Sequence, residues 1–259
     1  MSPRWLFFPA PAGGGGFAPT DISGCISWFD ADDASTITGT TLVSNWADKS
    51  GNTASFPNST ADLSESSSSL QPSINTGSMN GKDTISFNNN QLIGRFPSSG
   101  LTTASLFVVL RPAAGEQTWL LFNSGAYNYS DVAQNGSSST TLNQNFQSYS
   151  ASYLNFVTGN SVSWSTRTDV YNSFLPTNAA IIESIGCRFD DFVDSSGTKT
   201  FTFCRYGGNF KYEGDIAEIV AYDSALSTSD RESVEGYLAH KWGLTASLPS
   251  SHPYKTTAP

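Results

Sequence analysis

The chain has 259 residues, a length that one large β domain can fill undivided, and 38% of them are hydrophobic, with 17 Phe, 10 Tyr and 6 Trp. That supplies a core needing neither disulfide nor metal to hold it, and it excludes a disordered chain. Only 14% of residues are charged, the net charge is −9, and the basic residues (Arg4, Lys49, Lys82, Arg95 and Arg111 among them) are scattered singly, which excludes a nucleic-acid-binding role for want of a basic footprint.

Residues 1–20 differ from the rest and are expected to form an N-terminal arm with a glycine linker. Trp5, Leu6, Phe7 and Phe8 cluster, a Pro/Ala stretch follows, and Gly13–Gly16 then makes a short flexible tether before Phe17 and Pro19. A free tail has no reason to carry large apolar residues, so Trp5, Leu6, Phe7, Phe8 and Phe17 are expected to anchor a partner or an identical subunit. The start superficially mimics a signal peptide, including Ala10-Pro11-Ala12. Its apolar run is interrupted by Pro9, short of the roughly 7–15 residues that such a segment needs, so no cleavage is expected. No stretch reaches the roughly 18 apolar residues of a membrane span, and no membrane partner is expected.

Residues 21–259 read as one β domain. Cys25–Asp30 is a short apolar strand, Asp48–Asn52 a turn, and Asp62–Ser69 a serine-rich surface loop. Asp83–Asn88 alternates as a half-buried strand, and Leu106–Leu110 is a continuous apolar run suited to a central strand. Trp119–Phe122 follows. Ile181–Phe189 and Thr198–Tyr206 read as a hairpin around Asp194–Gly197, and Asp215–Tyr222 is the last strong strand. The three cysteines, Cys25, Cys187 and Cys204, all sit in strand-like contexts. An odd count argues against a disulfide framework, so buried free thiols are the simpler reading, with a Cys187–Cys204 bridge as the alternative.

The end of the chain changes in kind. Ser227 precedes Asp230 by three residues, close to a capping box, and Val234, Leu238 and Trp242 then recur at helical spacing before Gly243. A closing helix is therefore expected over about 227–242, sealing a sheet edge or an open end. The proline-containing remainder is expected to run extended over the surface.

These residues carry a family resemblance. Gly214-Asp-Ile-Ala-Glu-Ile-Val-Ala-Tyr-Asp223, Ala225-Leu-Ser227, Val234-Glu-Gly-Tyr-Leu-Ala-His-Lys-Trp-Gly-Leu244, Leu248-Pro and His252-Pro-Tyr254 resemble the C-terminal block of a concanavalin A-like, laminin G-like domain of the bacterial and bacteriophage type. Ile26–Asp32, Val43–Asn52, Gln71-Pro72 and Asn80-Gly81 agree. The resemblance spans about Asp21 to Tyr254. It implies an all-β fold, a two-sheet antiparallel jelly-roll sandwich with one C-terminal α-helix, but no single function, because such folds serve lectins, glycanases, adhesins and particle coats.

Glu213-Gly-Asp215-Ile-Ala-Glu218 fits the E-x-D-x-x-E spacing of laminarinase-like glycoside hydrolases, which share that fold. Gly214 stands where those enzymes carry an apolar residue, and the segment lies on the final strand instead of mid-chain. Glu218 is accordingly expected to be a structural carboxylate receiving hydrogen bonds, and no catalytic residue is expected. Asp190, Asp191 and Asp194 form an acidic turn of the kind that would suit calcium, but it lacks EF-hand spacing and reads first as a solvated loop; no cofactor is expected. Tyr127, Tyr129, Trp164 and Tyr171, in an Asn/Ser-rich stretch, are the aromatics available to stack on a glycan.

Together these features point to a non-enzymatic virion structural protein of a bacteriophage, a head-decoration or fibre protein attached to other virion proteins or identical subunits through its N-terminal arm, with adhesion to host or environmental glycans as an added role. The alternatives are a lectin or adhesin on a bacterial surface and a glycoside hydrolase.

Overall fold

The computed structural model describes residues 16–52, 62–95, 103–113, 118–123, 129–134, 155–163, 169, 178–187, 200–206 and 210–259, with 95, 118–123, 129–134, 200, 206 and 210 described by backbone alone. Within these residues the chain forms two antiparallel sheets and one α-helix. The larger sheet runs β12 (Asn160–Ser161), β11 (Phe156–Val157), β13 (Ala180–Cys187), β8 (Ala104–Pro112), β17 (Gly214–Tyr222), β6 (Lys82–Phe87) and β5 (Ser73–Met79), and β1 (Cys25–Asp30) joins it through β17. The second sheet runs β10 (Tyr129–Gln134), β9 (Thr118–Asn123), β14 (Thr200–Phe203), β7 (Leu92–Arg95), β4 (Leu63–Ser64), β3 (Asn45–Trp46) and β2 (Ile37–Thr38). A small ribbon pairs β15 (Arg205–Tyr206) with β16 (Phe210–Lys211).

Alternation along the central strands defines two cores. Val108 and Leu110 of β8 face the second sheet and pack with Trp46, Leu63, Leu92, Phe201 and Phe203. Phe107 and Val109 face the opposite way, onto Val234, Leu238 and Trp242 of the helix α1 (Thr228–Trp242). A strand buried on both faces must read as a continuous apolar run, which is why Leu106–Leu110 does. The helix therefore covers the outer face of the larger sheet and does not seal an edge or an open end, because β8 and β17 present a second apolar face that only a further layer can bury.

The axis of this arrangement is β17, with all nine of its residues buried. One of its edges pairs with β8. The other is shared: Gly214–Ile216 pair with β6, and the stretch from Glu218 to Tyr222 pairs with β1. Ala217 is the extra residue of a bulge at the changeover, and its carbonyl accepts the Ala31 N–H at 3.0 Å. The bulge turns both Ala217 and Glu218 towards the helix side, where strict alternation would allow only one of them.

Other expectations are corrected. β13 and β14 are not a hairpin: β13 pairs with β8 and β11, and β14 pairs with β7 and β9 in the other sheet. β13 is apolar on both faces, with Ile181 towards the helix and Ile182 towards the second sheet, so it belongs in the central layer. The loop expected from Asp62 contains β4, with Leu63 buried in the core. Cys25, Cys187 and Cys204 are buried and unbridged. The tail does not simply run extended; it makes a short 3-10 turn at Thr245–Ser247 and buries Leu248 and His252.

Candidate functional site

Where β1, β17 and α1 meet, the layer between sheet and helix holds charge instead of hydrocarbon. Glu218 is fully buried. Its Oε1 accepts from Trp28 Nε1 at 2.6 Å and Tyr237 O–H at 2.8 Å, and its Oε2 accepts from Trp242 Nε1 at 2.6 Å and Lys241 Nζ at 2.8 Å. Directly across the strand pair lies Asp30. Its Oδ1 is 2.6 Å from Lys241 Nζ, and its Oδ2 is 2.8 Å from Lys49 Nζ. Lys49 also pairs with Asp33 at 2.7 Å and lies 4.3 Å above the Trp28 ring.

Local structure explains how four segments deliver these groups. Trp28 and Asp30 share one face of β1 through the two-residue strand period, with Phe29 pointing into the inter-sheet core. The bulge presents Glu218. Tyr237 and Lys241 are one helical turn apart, and Trp242 follows on the buried stripe. Burial raises the proton affinity of Glu218, and the nearby Asp30 adds to this, against the opposing pull of Lys241 and the Trp28 donor. On the exposed rim the balance reverses: Lys49 and Ser35 hydrogen-bond the Asp33 carboxyl and hold it down at about 2.

The remaining acids of the E-x-D-x-x-E motif are also engaged. Asp215, buried, pairs with Arg111 and accepts from Asn75 Nδ2 at 3.1 Å. Glu213 pairs with Lys211. A retaining hydrolase needs two carboxylates about 5 Å apart with a sugar and a water between them. Glu218 is enclosed by two indoles, a phenol and an ammonium.

A second buried cluster joins β13, α1 and the tail. Glu183 Oε1 accepts from Gly159 N–H at 2.9 Å, while Glu235 pairs with Arg231 and with His252 Nε2 at 2.9 Å. Tyr254 N–H donates to His252 Nδ1 at 3.1 Å, so Nε2 carries the ring proton and donates to Glu235. The Arg231 guanidinium stacks 4.0 Å over the Phe156 ring.

Of the residues singled out in the sequence, Phe17 packs on this side of the domain, 5.8 Å from the Tyr237 ring. Tyr129 opens β10 and is described by backbone alone. Trp5, Leu6, Phe7, Phe8, Tyr127, Trp164, Tyr171, Asp190, Asp191 and Asp194 lie outside the described residues. Neither buried cluster was assembled by sequence reasoning, because their members are up to 214 positions apart and only the topology joins them. No group of three or more His, Cys, Asp or Glu residues placed to hold a metal occurs among the described residues.

No family model matches the chain, and no curated protein or solved structure matches it.

Proposed function

We propose that this chain is a non-enzymatic structural component of a bacteriophage virion, a head-decoration or fibre protein at the virion surface, built on a concanavalin A-like jelly roll and attached through its N-terminal arm, with glycan adhesion as an added role. The observation that carries this reading is the seating of the arm's root. Phe17 packs against Tyr237, and the Tyr222 hydroxyl donates to the Pro19 carbonyl at 2.9 Å. Tyr222 is a fully buried residue of β17 and Tyr237 belongs to the helix that covers it. A load on the arm is thus delivered to β17, all nine of whose residues are buried. The apolar cluster Trp5–Phe8 lies beyond a four-glycine tether from that root, the arrangement expected of an anchor that must find its seat on a partner.

The test is deletion of residues 1–16, which leaves Phe17 and Pro19 in place. The truncated protein is expected to keep its melting temperature and to lose association with the particle or with its own copies. Unchanged association would overturn the attachment reading. A glycan-array signal from residues 17–259 combined with unchanged association would favour a free lectin, and glycan hydrolysis abolished by Glu218→Gln would favour the hydrolase.

A further inference from the structure

We infer that the Lys241 and Asp30 side chains join in an intramolecular amide bond, with Glu218 as the group that moves the protons. The inference does not depend on the virion reading, since it concerns only chemistry inside the domain.

The reacting groups are already placed. Lys241 Nζ lies 2.6 Å from Asp30 Oδ1, one bond from the carbon it must attack. The same nitrogen lies 2.8 Å from Glu218 Oε2, so the proton acceptor touches the nucleophile. Lys49 holds the other oxygen of Asp30, Oδ2, at 2.8 Å, where it draws electrons from the carboxyl carbon and stabilises the negative charge that attack would put on that oxygen. Trp28, Tyr237 and Trp242 close the site around Glu218 and fix its orientation by three hydrogen bonds. Groups held this way reach effective concentrations on the order of 10⁵ M or more, which offsets the unfavourable condensation of an ammonium with a carboxylate in water.

The step balances without a co-reactant. Glu218 accepts one proton from the Lys241 ammonium, and the freed lone pair forms the N–Cγ bond to Asp30. The Cγ–Oδ1 bond breaks, and that oxygen leaves as water with two of the protons that were on nitrogen, both passed through Glu218. The products are one amide and one water, and Glu218 ends as it began. The bond ties the first strand of the larger sheet to the closing helix, making the chain from 30 to 241 a closed covalent loop.

The experiment is the intact mass of the purified full-length protein under denaturing conditions, followed by fragment sequencing. The expected result is a mass lower than the sequence mass by one water, with a fragment pair joined between Asp30 and Lys241. Lys241→Arg, which keeps the positive charge but does not form the amide, is expected to show its full sequence mass, and Asp30→Asn is expected to lose ammonia in place of water. A wild-type protein that retains its full sequence mass after prolonged incubation in the folded state overturns the inference. So does a water loss that maps elsewhere in the chain or persists in Lys241→Arg. Because the deciding measurement is made on the wild type, a variant that fails to fold does not obscure it.

Discussion

Glu183 shows how much a single buried side chain can ask of its surroundings. Ionised, its Oε2 is sealed from water with no donor to satisfy it. Protonated, it donates to Glu235, which is itself held by Arg231 and His252. Burial first, and the Glu235 carboxylate second, therefore raise its proton affinity well above that of an ordinary glutamate. A folded-state pKa above the unfolded one means that the native state binds the proton more tightly. The stabilisation is then complete below the ordinary glutamate pKa and is lost as the pH rises towards the folded value, with a slope of up to about 1.4 kcal/mol per pH unit. Glu183→Gln keeps a donor towards Glu235 without the titration. Melting curves of both proteins from about pH 4 to about pH 8 are expected to show the wild type losing ground to the variant as pH rises. Asp33 acts with the opposite sign at the acid end, but it is common to both proteins and cancels in the difference. A difference that stays flat with pH would mean that Glu183 does not hold a proton in the native state.

At the scale of elements, α1 was the most legible part of the chain and also the most deceptive. Its boundaries were readable because capping is local chemistry: Ser227 Oγ accepts the Asp230 N–H at 3.2 Å, and Gly243 ends the helix in the left-handed region at φ 74°, with Leu244 N–H returning to the Ala239 carbonyl at 2.7 Å. Val234, Leu238 and Trp242 were readable because they recur with the helical period. Arg231, Glu235 and Lys241 on the sheet-facing side were not, because a buried charge is licensed only by partners that the topology brings from elsewhere. The strands repeat the lesson. β8 announced itself as apolar on both faces, whereas β5, an edge strand of sequence SINTGSM with a positive φ at Gly77, carries almost no apolar pattern and went unread. The capping claim is directly testable. Ser227→Ala removes one acceptor from the first turn and is expected to cost about 1 kcal/mol, seen as a lower denaturant midpoint at unchanged slope. A loss of only a few tenths would show that packing alone defines the helix start.

For the whole molecule, the contrast between the two core layers matters most. Between the sheets the contacts are almost wholly hydrocarbon, while Asp30, Glu183, Asp215, Glu218, Arg231, Glu235 and His252 are all buried on the helix side of the larger sheet. Lys241 pairs with both Asp30 and Glu218 across that layer, tying the helix to β1 and β17 through charge. The C-terminal tail completes that layer, and Gly236 is the point at which it fits. A Cβ at Gly236 would meet Tyr254 Cβ at 2.5 Å, at the root of that side chain where no rotamer change relieves the clash. Two effects of Gly236→Ala therefore oppose each other. Helix propensity favours alanine by roughly 0.5–1 kcal/mol, whereas forcing Tyr254 away from its seat costs roughly 1–3 kcal/mol as overpacking. The clash should win, and the full-length variant is expected to be less stable than wild type. In a chain ending at Ser250 the clash is absent and only propensity remains, so the same substitution is expected to stabilise. A double-mutant cycle over Gly236→Ala and the truncation measures this coupling. The same sign in both backgrounds would show that the tail does not press on the helix in solution, while a reversal of sign makes Tyr254 the clasp that holds the third layer closed.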